Sequence, residues 1–227
     1  MPKFGRLFAW IGGALFVASL VFCAWWFLVA LGRSTSAFKA QALAYDALLF
    51  SAFAAHHSIF ARGAMKEWAA SAIPAELVRS VYVWIASVLL IVVCVLWRPI
   101  GGQVYEVHGG RAVLHAVVQL AGVWLIARGA AAINPLVLAG IRPAAAVAGV
   151  HVGGPYRLVR HPVYLGWLMA TLGAAHMTGD RLAFGIITAA YLFAAVPLEE
   201  RALVRSFGED YTRYQRQVRW RIVPFIY

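Results

Sequence analysis

The chain is 227 residues long, 63% hydrophobic and only 13% charged, with a mean hydropathy of +0.75. A soluble domain carries about 25% charged residues, so this balance excludes an ordinary soluble enzyme and points to a polytopic protein in a lipid bilayer. The formal charge of +11 would suggest nucleic acid in a soluble protein. Here most Lys and Arg lie between or after apolar stretches, where they orient the chain and meet anionic lipid, and no nucleic-acid partner is expected.

A spanning helix needs roughly 20 apolar residues. Six stretches qualify as candidates: 7–31, 41–60, 77–97, 112–133, 162–177 and 182–198. The first is long, has several equals behind it and lacks a small-residue cleavage site, so it reads as a span rather than a signal peptide. The third ends at Arg98-Pro99 and the fourth at Asn134-Pro135. The last two are short, forming either full spans or a tilted, partly re-entrant hairpin turning at Thr178-Gly179-Asp180. The expected fold is all-α: a polytopic membrane helix bundle of about six spans with a cytoplasmic C-terminal amphipathic helix. Residues 1–133 form a four-span scaffold. Residues 134–227 form a second module of cytoplasmic loop, short helical hairpin and covering tail.

Alternate segments divide the Lys and Arg residues 15 against 5. By the positive-inside rule both termini, the 134–161 loop and everything after Leu198 face the cytoplasm of a bacterial-type inner membrane. Cys23 and Cys94 sit inside apolar runs and read as small hydrophobes. The adjacent His56 and His57 point to different helix faces, so no metal site is expected.

Two clusters stand out on the inner side. Gly153-Gly154-Pro155-Tyr156 leads to Arg160-His161-Pro162-Val163-Tyr164-Leu165-Gly166. Pro162 suits the first turn of a helix, which places His161 at its entrance. Tyr164, three residues on, shares its face, and Gly166 leaves a notch. The second cluster follows Pro197, a helix-disturbing residue near the end of the last apolar stretch. Glu199 and Glu200 lie at the membrane edge, where acids are costly unless they meet cations. Leu203, Val204 and Phe207 continue at helical spacing as an amphipathic helix that Gly208 ends or bends, and Tyr211 and Tyr214 follow. Each residue alone is explained as well by interface anchoring. The group suits a zwitterionic cation with a planar ring. S-adenosylmethionine is such a molecule: carboxylates can hold its ammonium, tyrosine faces can flank its sulfonium, and backbone N–H groups or Arg can meet its carboxylate.

Gly154-Pro155-Tyr156-Arg157, Arg160-His161-Pro162-Val163-Tyr164-Leu165-Gly166, Glu199-Glu200-Arg201 and Phe207-Gly208-Glu209-Asp210-Tyr211-Thr212-Arg213-Tyr214 together resemble the isoprenylcysteine carboxyl methyltransferase family and its phospholipid methyltransferase relatives. The resemblance covers 153–224. It implies integral-membrane methyl transfer from S-adenosylmethionine, with Arg160, His161 and Glu200 catalytic. It implies a cofactor pocket made by Tyr156, Arg160, His161, Pro162, Tyr164, Gly166, Glu199, Glu200, Tyr211 and Tyr214. After the second tyrosine the family commonly has Arg-Val-Pro, whereas this chain reads Gln217-Val218-Arg219. Arg216 or Arg219 would have to replace an acceptor-binding Arg, which puts a carboxylate acceptor in question.

Further upstream, His56-His57-Ser58-Ile59-Phe60-Ala61-Arg62, Arg79-Ser80-Val81-Tyr82 and Leu96-Trp97-Arg98-Pro99 resemble the bacterial branch that includes methanethiol S-methyltransferase. His57 and Ser58 become candidate acceptor-side residues, alongside Arg219. The expected acceptor is small or lipophilic, a thiol or a prenylcysteine-like carboxylate. A phospholipid amine and a non-catalytic sensor or assembly factor retaining the pocket are the alternatives.

Overall fold

The computed structural model describes residues 3–33, 37–60, 71–142 and 149–227. Arg62 and Lys66, counted above in the charge balance, lie outside the described residues, as does part of the 134–161 loop. Two compact units emerge from the packing: Met1–Ile100 with Asn134–Val147, and Gly101–Ile133 with Ala148–Tyr227.

The first unit is built on α1 (Lys3–Trp25, continued by a π turn at Trp26–Ala30), α2 (Ala40–Phe60) and α3 (Ala75–Leu96). Close approach of α1 to α3 depends on Gly12, where a Cβ would lie 2.6 Å from Trp84 Nε1. The Trp84 indole donates to the Phe8 carbonyl at 3.1 Å and stacks on the Phe8 ring. Asp46 is fully buried within apolar α2 and accepts from the Arg98 backbone N–H at 2.9 Å. Pairing of this kind is what makes an acid tolerable in such surroundings. The Arg98 guanidinium lies 3.8 Å from the centre of the Tyr45 ring, a cation–π contact.

The second unit contains β1 (Gln103–Glu106) and α4 (Gly109–Ile133). The chain then makes a short helix, α5 (Pro135–Leu138), that belongs to the first unit. Asn134 caps α5 with its side-chain oxygen on Leu136 N–H, and Arg79 and Ser80 of α3 hold the carbonyls of Val137 and Gly140. Back in the second unit follow a 3₁₀ turn (Gly154–Arg157), α6 (Pro162–Leu172), β2 (His176–Thr178), α7 (Gly179–Phe207) and α8 (Glu209–Gln217).

The fold is nearly all-α, and four helices are long and apolar enough to cross a membrane among the described residues: Lys3–Ala30, Ala75–Leu96, Gly109–Ile133 and Gly179–Phe207. Two local features differ from the sequence reading. The apolar stretch expected to run to 177 stops its helix at Leu172, because His176–Thr178 pairs antiparallel with Gln103–Glu106. Thr178 is therefore the N-cap of α7 rather than a loop residue, its hydroxyl accepting from Arg181 N–H. The last apolar stretch and the amphipathic helix expected after Pro197 are one helix, α7, which runs through Pro197 to Phe207. Gly208, at φ 55°, a region open to glycine, then turns the chain into α8.

Inside the second unit, α4 and α6 meet at two glycines. A Cβ on Gly122 would lie 2.6 Å from Gly166 O, and one on Gly166 would lie 2.5 Å from Gly122 O. Small residues at such a crossing let backbones approach, the usual basis of helix association in lipid. Replacing Gly166 by Ala is expected to cost about 1–3 kcal/mol through overpacking. Gly110→Ala, where a Cβ meets nothing within 4 Å, serves as the control, and thermal unfolding of the two variants in detergent checks the difference.

Candidate active site

The centre of the second unit is a salt bridge between residues 40 apart in sequence. Arg160 and Glu200 are 9% and 4% exposed. Arg160 Nε donates to Glu200 Oε1 at 2.5 Å and Nη2 to Oε2 at 3.2 Å. This is the two-pronged geometry that guanidinium and carboxylate favour. The remaining Nη1 donates to the carbonyls of Val218 and Arg219, at 2.7 and 3.0 Å. Glu200 Oε2 also accepts from Gln215 Nε2 and Arg221 Nε, at 3.3 and 3.2 Å. The backbone completes the join, with Arg160 N–H on Trp220 O and His161 N–H on Arg221 O. One ion pair therefore fastens the entrance of α6, the end of α7 and the chain after α8.

At the edge of this pair lies a more open group. His161 is the N-cap of α6 and only 6% exposed. Its ring stacks on Tyr164 with centroids 5.2 Å apart and planes 9° from parallel. Tyr164 donates its hydroxyl to Glu199 Oε2 at 2.7 Å. His161 Nδ1 lies 3.8 Å from that same oxygen, and Nε2 lies 3.4 Å from Glu200 Oε1. Nε2 is out of line for a hydrogen bond and is left as a buried nitrogen without one. Glu199, by contrast, is exposed. The adjacent acids of the pair thus have opposite fates: Glu200 is turned inward and saturated, whereas Glu199 is turned outward beside His161 and Tyr164.

Tyr156, Tyr211 and Tyr214 form a buried cluster with Val218. Tyr214 donates to Tyr156 O at 2.8 Å and Tyr156 donates to Gly129 O at 3.3 Å. Burial pushes the Tyr156 phenol up to about 12, with the Glu199 charge adding to the effect. Burial, joined by nearby carboxylate charge or a neighbouring phenol, likewise raises Tyr211 and Tyr214 above the usual phenol value. All three stay neutral at physiological pH.

Against a phospholipid methyltransferase family model, the chain matches over residues 145–210. It is 38% identical to methanethiol S-methyltransferase of Pseudomonas deceptionensis, over 78% of this chain and 71% of that protein. It is 37% identical to methanethiol S-methyltransferase 2 of Bradyrhizobium diazoefficiens, over 78% of this chain and 72% of that one. A shorter match, at 33% identity over 34% of this chain and 41% of the relative, is to protein-S-isoprenylcysteine O-methyltransferase A of Arabidopsis thaliana. The chain belongs to the phospholipid and isoprenylcysteine carboxyl methyltransferase family. It is a membrane methyltransferase.

Of the family-motif positions, Arg160, His161, Tyr164, Glu199 and Glu200 come together in direct contact. Pro162 is buried at the first turn of α6. Gly166 sits elsewhere in the packing: the notch foreseen on the helix surface is filled by the α4 backbone at Gly122. Arg219 contributes its carbonyl to Arg160, while its side chain is exposed near Trp220. His57 and Ser58 lie in the first unit, near the end of α2, where Tyr82 Oη is 2.8 Å from His57 Nδ1. Sequence reasoning missed Gln215 and Arg221, the other two donors on Glu200. Nothing local distinguishes them in a tail that also offers Arg213, Arg216 and Arg219.

Truncation of either partner of the buried pair strands a charge. Glu200→Ala and Arg160→Ala are each expected to cost about 3–5 kcal/mol, with the double variant less damaged than additivity predicts, as measured by denaturant unfolding. The raised tyrosines give a second expectation. An unfolded phenol ionises near 10 and these ionise higher, so the unfolded state binds fewer protons in that window and stability falls as pH rises through it. Alkaline titration followed by tyrosinate absorbance should show onset of unfolding above about pH 10, while Tyr156→Phe removes one of the late-titrating groups.

Proposed function

We propose that the chain is an S-adenosylmethionine-dependent methyltransferase of the bacterial inner membrane, acting on a small thiol. The observation that carries this reading is the mouth of α6. There a buried histidine ring, a flat tyrosine face stacked on it and an outward carboxylate meet beside a buried ion pair. The donor set fits the cofactor. Glu199 offers a carboxylate to an ammonium, and the Tyr164 ring, held parallel to His161, offers a π-face to a cation, an attraction of roughly 0.5–2 kcal/mol. When bound, S-adenosylmethionine supplies a methyl group already activated by its positive sulfur.

The work left to the protein is alignment and exclusion of water. Arg160 and Glu200, expected from the motif to be catalytic, act in this proposal as positioning residues, since each is consumed by the other and by the tail. Their rigid pairing fixes His161 and Glu199 next to them in sequence. His161 is the nearest group to take a proton from an acceptor that arrives protonated. A thiolate needs little such help, an amine more. Tyr156, Tyr211 and Tyr214 close the floor under the 3₁₀ turn as neutral packing groups. The residues of this chemistry all lie in the unit of Gly101–Ile133 and Ala148–Tyr227, and the proposed topology is about six spans with both termini cytoplasmic.

The thiol assignment rests on the names of the relatives that match most of the chain, and the Gln217 departure weighs against a carboxylate acceptor. Supplying purified protein with methyl-labelled S-adenosylmethionine and, separately, methanethiol, a phospholipid amine and a prenylcysteine tests it. Label in a volatile thioether is the expected outcome; label in lipid headgroups or in a prenylcysteine ester would replace the thiol. Calorimetry tests the site. Glu199→Ala and His161→Ala are each expected to weaken cofactor binding about tenfold or more, and unchanged affinity in both would remove the assignment.

A further inference from the structure

On the side of Glu200 turned toward the tail lies a cavity of about 370 Å³. Arg201, Arg205, Arg221 and Gln215 give it a polar lining, and Pro197 and Val204 an apolar one. Glu200 is the one carboxylate lining it among the described residues, and its oxygens are already occupied by Arg160, Gln215 and Arg221. Glu199 faces Tyr164 instead.

The arginines are not accounted for by the protein. Arg201 and Arg205 stand one turn apart, an arrangement in which like charges repel. Both are exposed, and neither has a hydrogen bond or ion pair among the described residues. Arg221 spends Nε on Glu200 and Nη1 on the Tyr227 hydroxyl, leaving Nη2 without an acceptor among the described residues. Three arginines thus line a cleft with one engaged carboxylate. Their planar forks match a tetrahedral oxyanion better than a single point charge would.

The stripe below them is apolar. Ala194 and Leu198 are exposed on α7 at positions that continue the line of Arg201 and Arg205 toward the membrane-crossing part of the helix. One helix face therefore passes from hydrocarbon-like to strongly basic within about two turns, as a phosphate-bearing amphiphile does.

We propose that this cleft is a phosphate-binding site, distinct from the methyl-transfer site, and that Arg201, Arg205 and Arg221 hold the phosphate. Its source is an anionic phospholipid headgroup with acyl chains along Ala194 and Leu198, or a free phosphate, and the two are separable. Full-length protein in mixed phosphatidylglycerol and phosphatidylcholine nanodiscs, analysed for co-purified lipid by native mass spectrometry, gives the lipid arm. Inorganic phosphate titrated in neutral detergent, followed by thermal unfolding, gives the free-anion arm.

Wild type is expected to retain phosphatidylglycerol about tenfold over phosphatidylcholine, or more. The R201Q/R205Q variant should lose that preference, R201K/R205K should keep part of it, and R213Q, which lies outside the cleft, should keep all of it. A phosphate response that also disappears in R201Q/R205Q adds the free anion as a ligand; its absence from wild type assigns the site to lipid. Equal lipid preference in wild type and R201Q/R205Q, with no phosphate response to lose, overturns the proposal. S-adenosylmethionine binding should be unchanged in R201Q/R205Q. Its loss would assign the cleft to the cofactor and overturn the proposal as well, whereas loss of cofactor binding in the Glu199 and His161 variants concerns the other site only.

Discussion

The buried bond between Arg160 and Glu200 governs the second unit. Two charges taken out of water are costly, and the cost is offset only when geometry is good and every remaining donor and acceptor is used. Here four of the five guanidinium N–H groups and both carboxylate oxygens are used. The carboxylate receives four hydrogen bonds from three side chains besides its nearness to His161, and the guanidinium finds two main-chain carbonyls in addition to Glu200. Because the ligands of this pair come from before α6, from α7 and from the tail, satisfying it dictates where all three must be.

That constraint gives the neighbouring residues their character. With Glu200 locked, helical geometry turns Glu199 to a different face, where it meets the Tyr164 hydroxyl. With Arg160 locked and its backbone paired to Trp220, His161 is held at the start of α6 with its ring flat on Tyr164. An adjacent pair of acids and an adjacent Arg-His thus divide into a buried ion pair and a neighbouring group in which His161 is buried and Glu199 exposed. Orientation of functional groups by a saturated supporting layer is how sites gain precision.

Much of this was legible in the sequence, for identifiable reasons. The helical character followed from apolar runs, whose period and length are local properties. The closeness of Arg160, His161, Tyr164, Glu199 and Glu200 followed from motifs whose residue types demand one another: costly acids at a membrane edge need cations. What stayed hidden was set by long-range packing. Gly166 reads as a notch on a lone helix, but only the position of Gly122 shows that a neighbouring backbone fills it. Thr178 reads as a turn until Gln103 is seen to pair with it. Pro197 carries the sign of a disturbed helix, yet α7 continues through it to Phe207. Gln215 and Arg221 have no distinguishing sequence context, and only the tail's path brings them to Glu200.

The carbonyls of Val218 and Arg219 that receive Arg160 lie 58 and 59 residues downstream of it. A chain emerging from the ribosome meets these partners in order, and helices made early pack before later ones exist. Until residues 218–221 are synthesised, Arg160 lacks its two main-chain carbonyls, Glu200 lacks Arg221, and the backbone N–H groups of Arg160 and His161 have no acceptor from the tail. The join of α6, α7 and the tail is therefore completed only when this late-made segment is in place.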